Sequence, residues 1–174
     1  MTWLNRRSLK ALAAVAVVLL VLDLFWLGVA AQPIYDAQLG ALRARETVVI
    51  AAALFYLQYV LVVTFFAAVP AATIKQAALR GAGVGWVAYA TYELTNWAVI
   101  EAWPPGLIVV DVAWGLLLTA TVAYLFMYYE PIIELIVGEG TACRIGGPTQ
   151  ATVYCAGWFV WSLNGAMLAA LFGC

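Results

Sequence analysis

The chain has 174 residues, of which 67% are hydrophobic and only 10% charged, with a formal net charge of −1 and no histidine. Soluble domains run about 45–50% apolar and 25% charged, so this composition excludes an ordinary soluble domain and points to an integral membrane protein. It also excludes a basic nucleic-acid-binding surface, and the missing histidine removes the commonest ligand of transition metals and the usual general base. The apolar runs are continuous rather than alternating, which argues for an all-α, polytopic transmembrane helix bundle and against a β-barrel. Cys143, Cys155 and Cys174 form no CxxC pair, and neither a metal site nor a disulfide framework is expected. No cofactor is expected either.

Five spans are predicted, four as a core and one as a C-terminal addition, in a single membrane domain over 1–174. The first covers residues 8–31, behind Arg6, Arg7 and Lys10. A cleaved signal peptide is the competing reading, with Val29-Ala30-Ala31 as its small-residue site. The run is about twenty residues long, enough to span, and it carries an acid and a tryptophan near its end, so a span is preferred. Residues 32–46 form a loop with a short interfacial helix between Ile34 and Arg45. The second span, 47–69, contains Tyr56, Gln58 and Tyr59 and is closed by Pro70. Lys75 and Arg80 lie in a polar linker.

The third span is 81–102. Gly81 and Gly85 form a small-xxx-small pair that permits close helix approach, within the chain or between copies. Pro104-Pro105-Gly106 leaves no length to separate the third span from the fourth, 107–128, so the two form an antiparallel hairpin. Tyr128-Tyr129 ends the fourth span as an interfacial aromatic pair. Residues 130–151 read as a loop with one amphipathic turn over 132–137, and the fifth span is 152–172. No internal repeat is evident. Basic residues favour a cytoplasmic N-terminus: Arg6, Arg7, Lys10, Lys75, Arg80 and Arg144 fall on one side, Arg43 and Arg45 on the other.

Three acids interrupt the apolar runs: Asp23 in Leu22-Asp23-Leu24-Phe25-Trp26, Glu93 in Tyr92-Glu93-Leu94-Thr95-Asn96, and Asp111 in Val110-Asp111-Val112-Ala113-Trp114. Each is unfavourable by about 2.5–3.5 kcal/mol on insertion scales, and no Lys, Arg or His shares these runs. At a rise of about 1.5 Å per residue, all three fall at overlapping depths in the outer half of the bilayer. They are expected to form one shared site, with at least one protonated at neutral pH.

Trp86, Tyr89, Glu93, Asn96 and Ile100 recur at spacings of three and four, hence on one helical face. Trp26 and Trp114 stand three residues after Asp23 and Asp111 and are expected to attend their own acid. The candidate ligand-binding residues are therefore Asp23, Trp26, Tyr89, Glu93, Asn96, Asp111 and Trp114, with no metal site and no assigned catalytic residue. Helix glue through protonated acids is the bland alternative. Trp3 and Trp103 read as belt residues, Trp158 and Trp161 as packing or lipid contacts.

These segments, Leu22 to Gly28, Tyr89 to Asn96, Trp103-Pro104 and Val110 to Gly115, resemble a family of small bacterial membrane proteins, domain of unknown function 2177. The likeness covers about residues 8–128. Glu93 stands where the family more often has Asp. The resemblance implies a bacterial inner-membrane protein with about four core helices, and it implies no biochemical activity. The acids and rings suit binding or transport of a small cationic or proton-coupled solute. A small membrane enzyme acting on a lipid or isoprenoid by carboxylate acid/base chemistry is the first alternative. An accessory subunit of a larger membrane complex is the second. Whether the chain is an enzyme stays open. The bilayer, and either further copies of the chain or a larger complex, are the expected partners, and no nucleic acid is.

Overall fold

A computed structural model describes residues 5–43, 46–136, 142–144 and 152–154. The described chain is helical apart from one short ribbon. Helix α1 is Arg6–Phe25, prolonged by a π-helical segment Trp26–Ala30; α2 is Gln32–Leu39; α3 is Val49–Val62, prolonged by a π segment Val63–Ala68; α4 is Ile74–Val99; and α5 is Pro105–Ile136. Among the described residues, three stretches are long and apolar enough to cross a membrane: Arg6–Ala30, Val49–Ala68 and Pro105–Ile133. The α4 helix has 26 residues, about 39 Å at 1.5 Å per residue, but carries more polar groups. The fold is a helical membrane bundle.

Local signals explain the helix starts. Asn5 caps α1, its side chain accepting from Ser8 N at 2.8 Å. Thr73 caps α4, accepting from Gln76 N at 3.1 Å, while Gln76 Oε1 reaches back to Ala72 N at 2.7 Å. This cap starts α4 a full two turns before residue 81. Lys75 and Arg80, expected in a linker, are therefore helical. Pro105 opens α5, where its missing N–H is no loss. Gly40, at φ 48°, closes α2 in the left-handed conformation that suits glycine.

The residues divide into two compact units, 1–127 and 128–174. In the second, α5 runs past Tyr128-Tyr129 and through Pro131 to Ile136. A proline removes one backbone bond but does not oblige the helix to stop there. Ala142–Arg144 and Thr152–Tyr154 pair as antiparallel strands, with Ala142 opposite Tyr154. Thr152–Tyr154 thus occupies the start of the predicted fifth span, and the remainder of that span lies outside the described residues, as do Trp3, Trp158 and Trp161.

The first unit is packed through every-fourth-residue stripes. Ala11, Val15, Leu19 and Asp23 are the buried line of α1. Ala77, Gly81, Gly85, Ala90 and Glu93 are that of α4. Leu107, Asp111, Gly115, Thr119 and Ala123 are buried along α5. Such i, i+4 ridges are the natural packing rows of a helix.

The α4 and α5 helices meet backbone to backbone. A Cβ on Gly81 would collide with the Thr119 carbonyl, one on Gly85 with the Gly115 carbonyl, and one on Gly115 with the Tyr89 ring. As the α4 position climbs from 81 to 85, its α5 partner falls from 119 to 115, the register of an antiparallel pair. The glycine face is thus taken up inside the chain and is not available for association between copies.

Candidate functional site

The buried stripes end in carboxyl groups at one end of the first unit. Asp23, Glu93 and Asp111 are 2%, 0% and 5% exposed, so each needs partners from the protein. Asp23 accepts from both sides: Trp114 Nε1 donates to Oδ1 at 2.9 Å and the Tyr56 hydroxyl to Oδ2 at 2.8 Å. The Tyr35 hydroxyl donates to Asp111 Oδ1 at 2.6 Å. Trp103 Nε1 donates to Glu93 Oε2 at 2.9 Å. The carboxyl groups of Glu93 and Asp111 lie within hydrogen-bonding reach of each other. Yet Glu93 Oε1 meets no donor. Two carboxyls can bond only through a proton held by one of them.

Glu93 and Asp111 therefore share one buried environment, and Asp23 has a set of donors of its own beside it. Trp26 and Trp114 stack at 4.3 Å with an 8° interplanar angle, joining the π-helical end of α1 to α5. Trp26 Nε1 sits beside the Tyr35 phenol without a bond of good geometry. Asp23 lies within electrostatic reach of Asp111. A second polar step lies two turns beyond Asp111 on α5: Tyr59 and Thr119 hydroxyls bond at 2.6 Å, and Thr119 Oγ1 donates to Gly115 O at 2.7 Å, so the Tyr59 hydroxyl is the donor in the pair. Beyond it lie Val63, Ala67, Leu118, Val122, Ala123 and Phe126, all buried.

Tyr35 lies on α2, outside the candidate spans. Burial first, then its bond to the Asp111 carboxyl, pushes its phenol well above the ordinary value of 10.0. The phenol stays protonated and acts as a donor. The described network contains no basic side chain among its hydrogen-bond partners. Bare like charges about 4 Å apart repel by roughly 4 kcal/mol at an effective dielectric of 20, and neutral donors do not cancel that.

Several residues stand elsewhere than their spacing suggested. Trp114 serves Asp23 on the opposite helix rather than Asp111 on its own. Tyr89 packs its ring on Gly115 and edge-on to Tyr59, within electrostatic reach of Asp23. Asn96 lies beside Tyr92, and among the described residues no hydrogen bond joins it to any of the acids. Trp86 is 56% exposed and lies off the Glu93 stripe.

Trp103 is no belt residue: it is buried, holds Glu93 and meets Tyr92 edge-on at 5.9 Å. Tyr35 and Tyr56, the other donors, were not marked by spacing. One signal was present: with no internal base, buried carboxylates can be satisfied only by phenols, indoles, amides or backbone N–H groups. Among the described residues no group of three or more His, Cys, Asp or Glu could hold a metal ion.

Helices of this length and apolarity define a helical membrane protein, and its first unit holds buried carboxyl groups bonded to aromatic donors. Residues 8–128 match the model of the family described as Predicted membrane protein (DUF2177), and the chain belongs to that family. No curated protein and no solved structure matches it.

Proposed function

We propose that this membrane protein binds a small cationic solute, or a solute carried with a proton, at the network of Asp23, Asp111 and Glu93. One observation carries the reading: three buried carboxyl groups lie at one end of the first unit, and among the described residues their hydrogen-bond donors are neutral phenols and indoles. Their charge is balanced by something the network does not itself contain, a cation or protons. The stacked Trp26–Trp114 pair adds ring faces and edges beside Asp23, which favour a cation over a neutral ligand. Binding is better supported than passage through a single chain, because beyond Tyr59 and Thr119 the buried residues described are mainly apolar, with only Thr64 and Ser8 polar among them.

The test is thermal unfolding of the full-length protein in detergent, titrated with sodium, potassium, ammonium, tetramethylammonium and a protonated aliphatic amine. A bound cation raises stability saturably, by about 2.7 kcal/mol at a hundred times its Kd. Asp23→Asn abolishes that gain. Equal responses of wild type and variant to every cation would count against the reading.

We further infer a multi-pass chain of the bacterial inner membrane with a cytoplasmic N-terminus. The bases support this grouping: Arg7 donates to Val69 O and Arg80 to Phe66 O, which gathers them with Lys75 at one end of the first unit, whereas Arg43 pairs with Asp36 beyond α2. A single cysteine introduced as Gln38→Cys in a cysteine-free variant is expected to react with an impermeant maleimide from outside intact cells. Reaction only after lysis reverses the orientation.

A further inference from the structure

We propose that Glu93 and Asp111 form a single-proton site, a carboxyl–carboxylate pair that holds one proton between two helices and loses or gains it as a unit. The inference stands on geometry and does not depend on any cation binding at Asp23. The antiparallel approach of α4 and α5, fixed by Gly81 and Gly85, continues to a register in which Asp111 faces the Tyr89–Glu93 turn of α4, and both carboxyl groups are buried. Glu93 has one oxygen on Trp103 and a second with no donor among the described residues. Asp111 has one oxygen on Tyr35. The remaining faces of the two groups meet each other.

With no proton, two acceptors would face each other in a dry space. With a proton on each, the pair would have to close as a cyclic acid dimer in which the oxygens already accepting from Trp103 and Tyr35 accept a second bond. One shared proton satisfies both, and it leaves each outer oxygen to the neutral donor it already has. The groups that act on the pair are Asp23 from α1, Tyr35 from α2 and Tyr92 from α4. The pair titrates with values that belong to both residues together.

Infrared spectroscopy of the full-length protein in lipid at neutral pH distinguishes the cases. The wild type is expected to show one protonated-carboxyl C=O stretch from this site, shifted on exchange into D₂O. Glu93→Gln and Asp111→Asn are each expected to abolish it. In either variant the new amide N–H supplies the missing donor, and the remaining carboxyl has no further need of the proton. Asp23→Asn is expected to leave the band in place.

Absence of the band in the wild type overturns the proposal. Its survival in either Glu93→Gln or Asp111→Asn also overturns it, since the proton then belongs to one residue alone. Matched thermal unfolding of the two near-isosteric variants establishes that a lost band reflects protonation and not a lost fold. Failure of every cation in the binding experiment leaves this outcome unaffected, so the two readings fail separately.

Discussion

The two ends of the first unit are built from the same helices and have opposite interiors. Toward the α1 N-terminus, Ala11, Val15, Val63, Ala67, Ala77, Val122 and Phe126 pack together, with Ser8 and Thr64 the buried polar residues described there. Toward the α1 C-terminus the same stripes carry Asp23, Glu93 and Asp111, held by Trp114, Tyr56, Trp103 and Tyr35. In lipid there is little hydrophobic drive between helices, so the apolar end holds by close packing and the polar end by hydrogen bonds. The difference teaches a division of labour. Close packing fixes where the α4 and α5 backbones lie, and that placement lets carboxyl groups from separate helices meet.

The strongest way to break the comparison is to part those backbones. Gly85→Leu puts a side chain into the Gly115 carbonyl, which has no room to yield. We expect a loss of at least about 3 kcal/mol, or no folded protein, by thermal unfolding in detergent. Gly83→Ala is the matched control. A Cβ there meets nothing within 4 Å, and the change is expected to stay within about 0.5 kcal/mol. Equal effects at the two positions would mean that the glycines do not set the approach.

The polar end breaks next. Asp111→Leu strands the Tyr35 hydroxyl and removes the group facing Glu93, for an expected loss of about 2–4 kcal/mol by the same measurement. Trp103→Phe is gentler. It keeps a ring against Tyr92 and removes only the donor to Glu93 Oε2, so about 1–2 kcal/mol is expected. A Trp103→Phe protein as stable as wild type would return Trp103 to the role of a membrane-belt residue.

Much of this was legible in the sequence. The apolar runs announced a helical membrane bundle, and the short Pro104-Pro105-Gly106 turn announced the α4–α5 hairpin. The donors were not legible. Tyr35 reaches Asp111 across 76 positions and Tyr56 reaches Asp23 across 33, and local spacing says nothing about such pairs. Spacing gives the face of one helix, not its rotation against the next. Trp114 was therefore assigned to the acid on its own helix when it serves the acid opposite. The two π segments, Trp26–Ala30 and Val63–Ala68, add a further unreadable shift, since a wider turn moves every later residue around the axis. The α4 stripe misled for another reason: Trp86 fits the three-and-four pattern, but glycines and not the large rings mark the buried line.

The smallest expected effect lies at the rim of the polar end, where α2 meets it. Tyr35→Phe removes one hydrogen bond to Asp111 and leaves the ring, so a loss of about 1 kcal/mol is expected near neutral pH. The pH dependence gives the sign. In the folded protein burial and the Asp111 carboxyl hold the Tyr35 phenol above its ordinary value of 10.0, so the folded state keeps a proton that the unfolded chain releases. Its stabilising contribution is whole below that value and declines as the pH rises above it. Wild type and Tyr35→Phe should therefore differ by a constant amount through the neutral range, and the gap should close in strong alkali. Thermal unfolding of both proteins at a series of alkaline pH values measures it. A gap that stays constant through that series would mean that Tyr35 ionises as readily in the folded chain as in the unfolded one, and that α2 does not seal Asp111 from water.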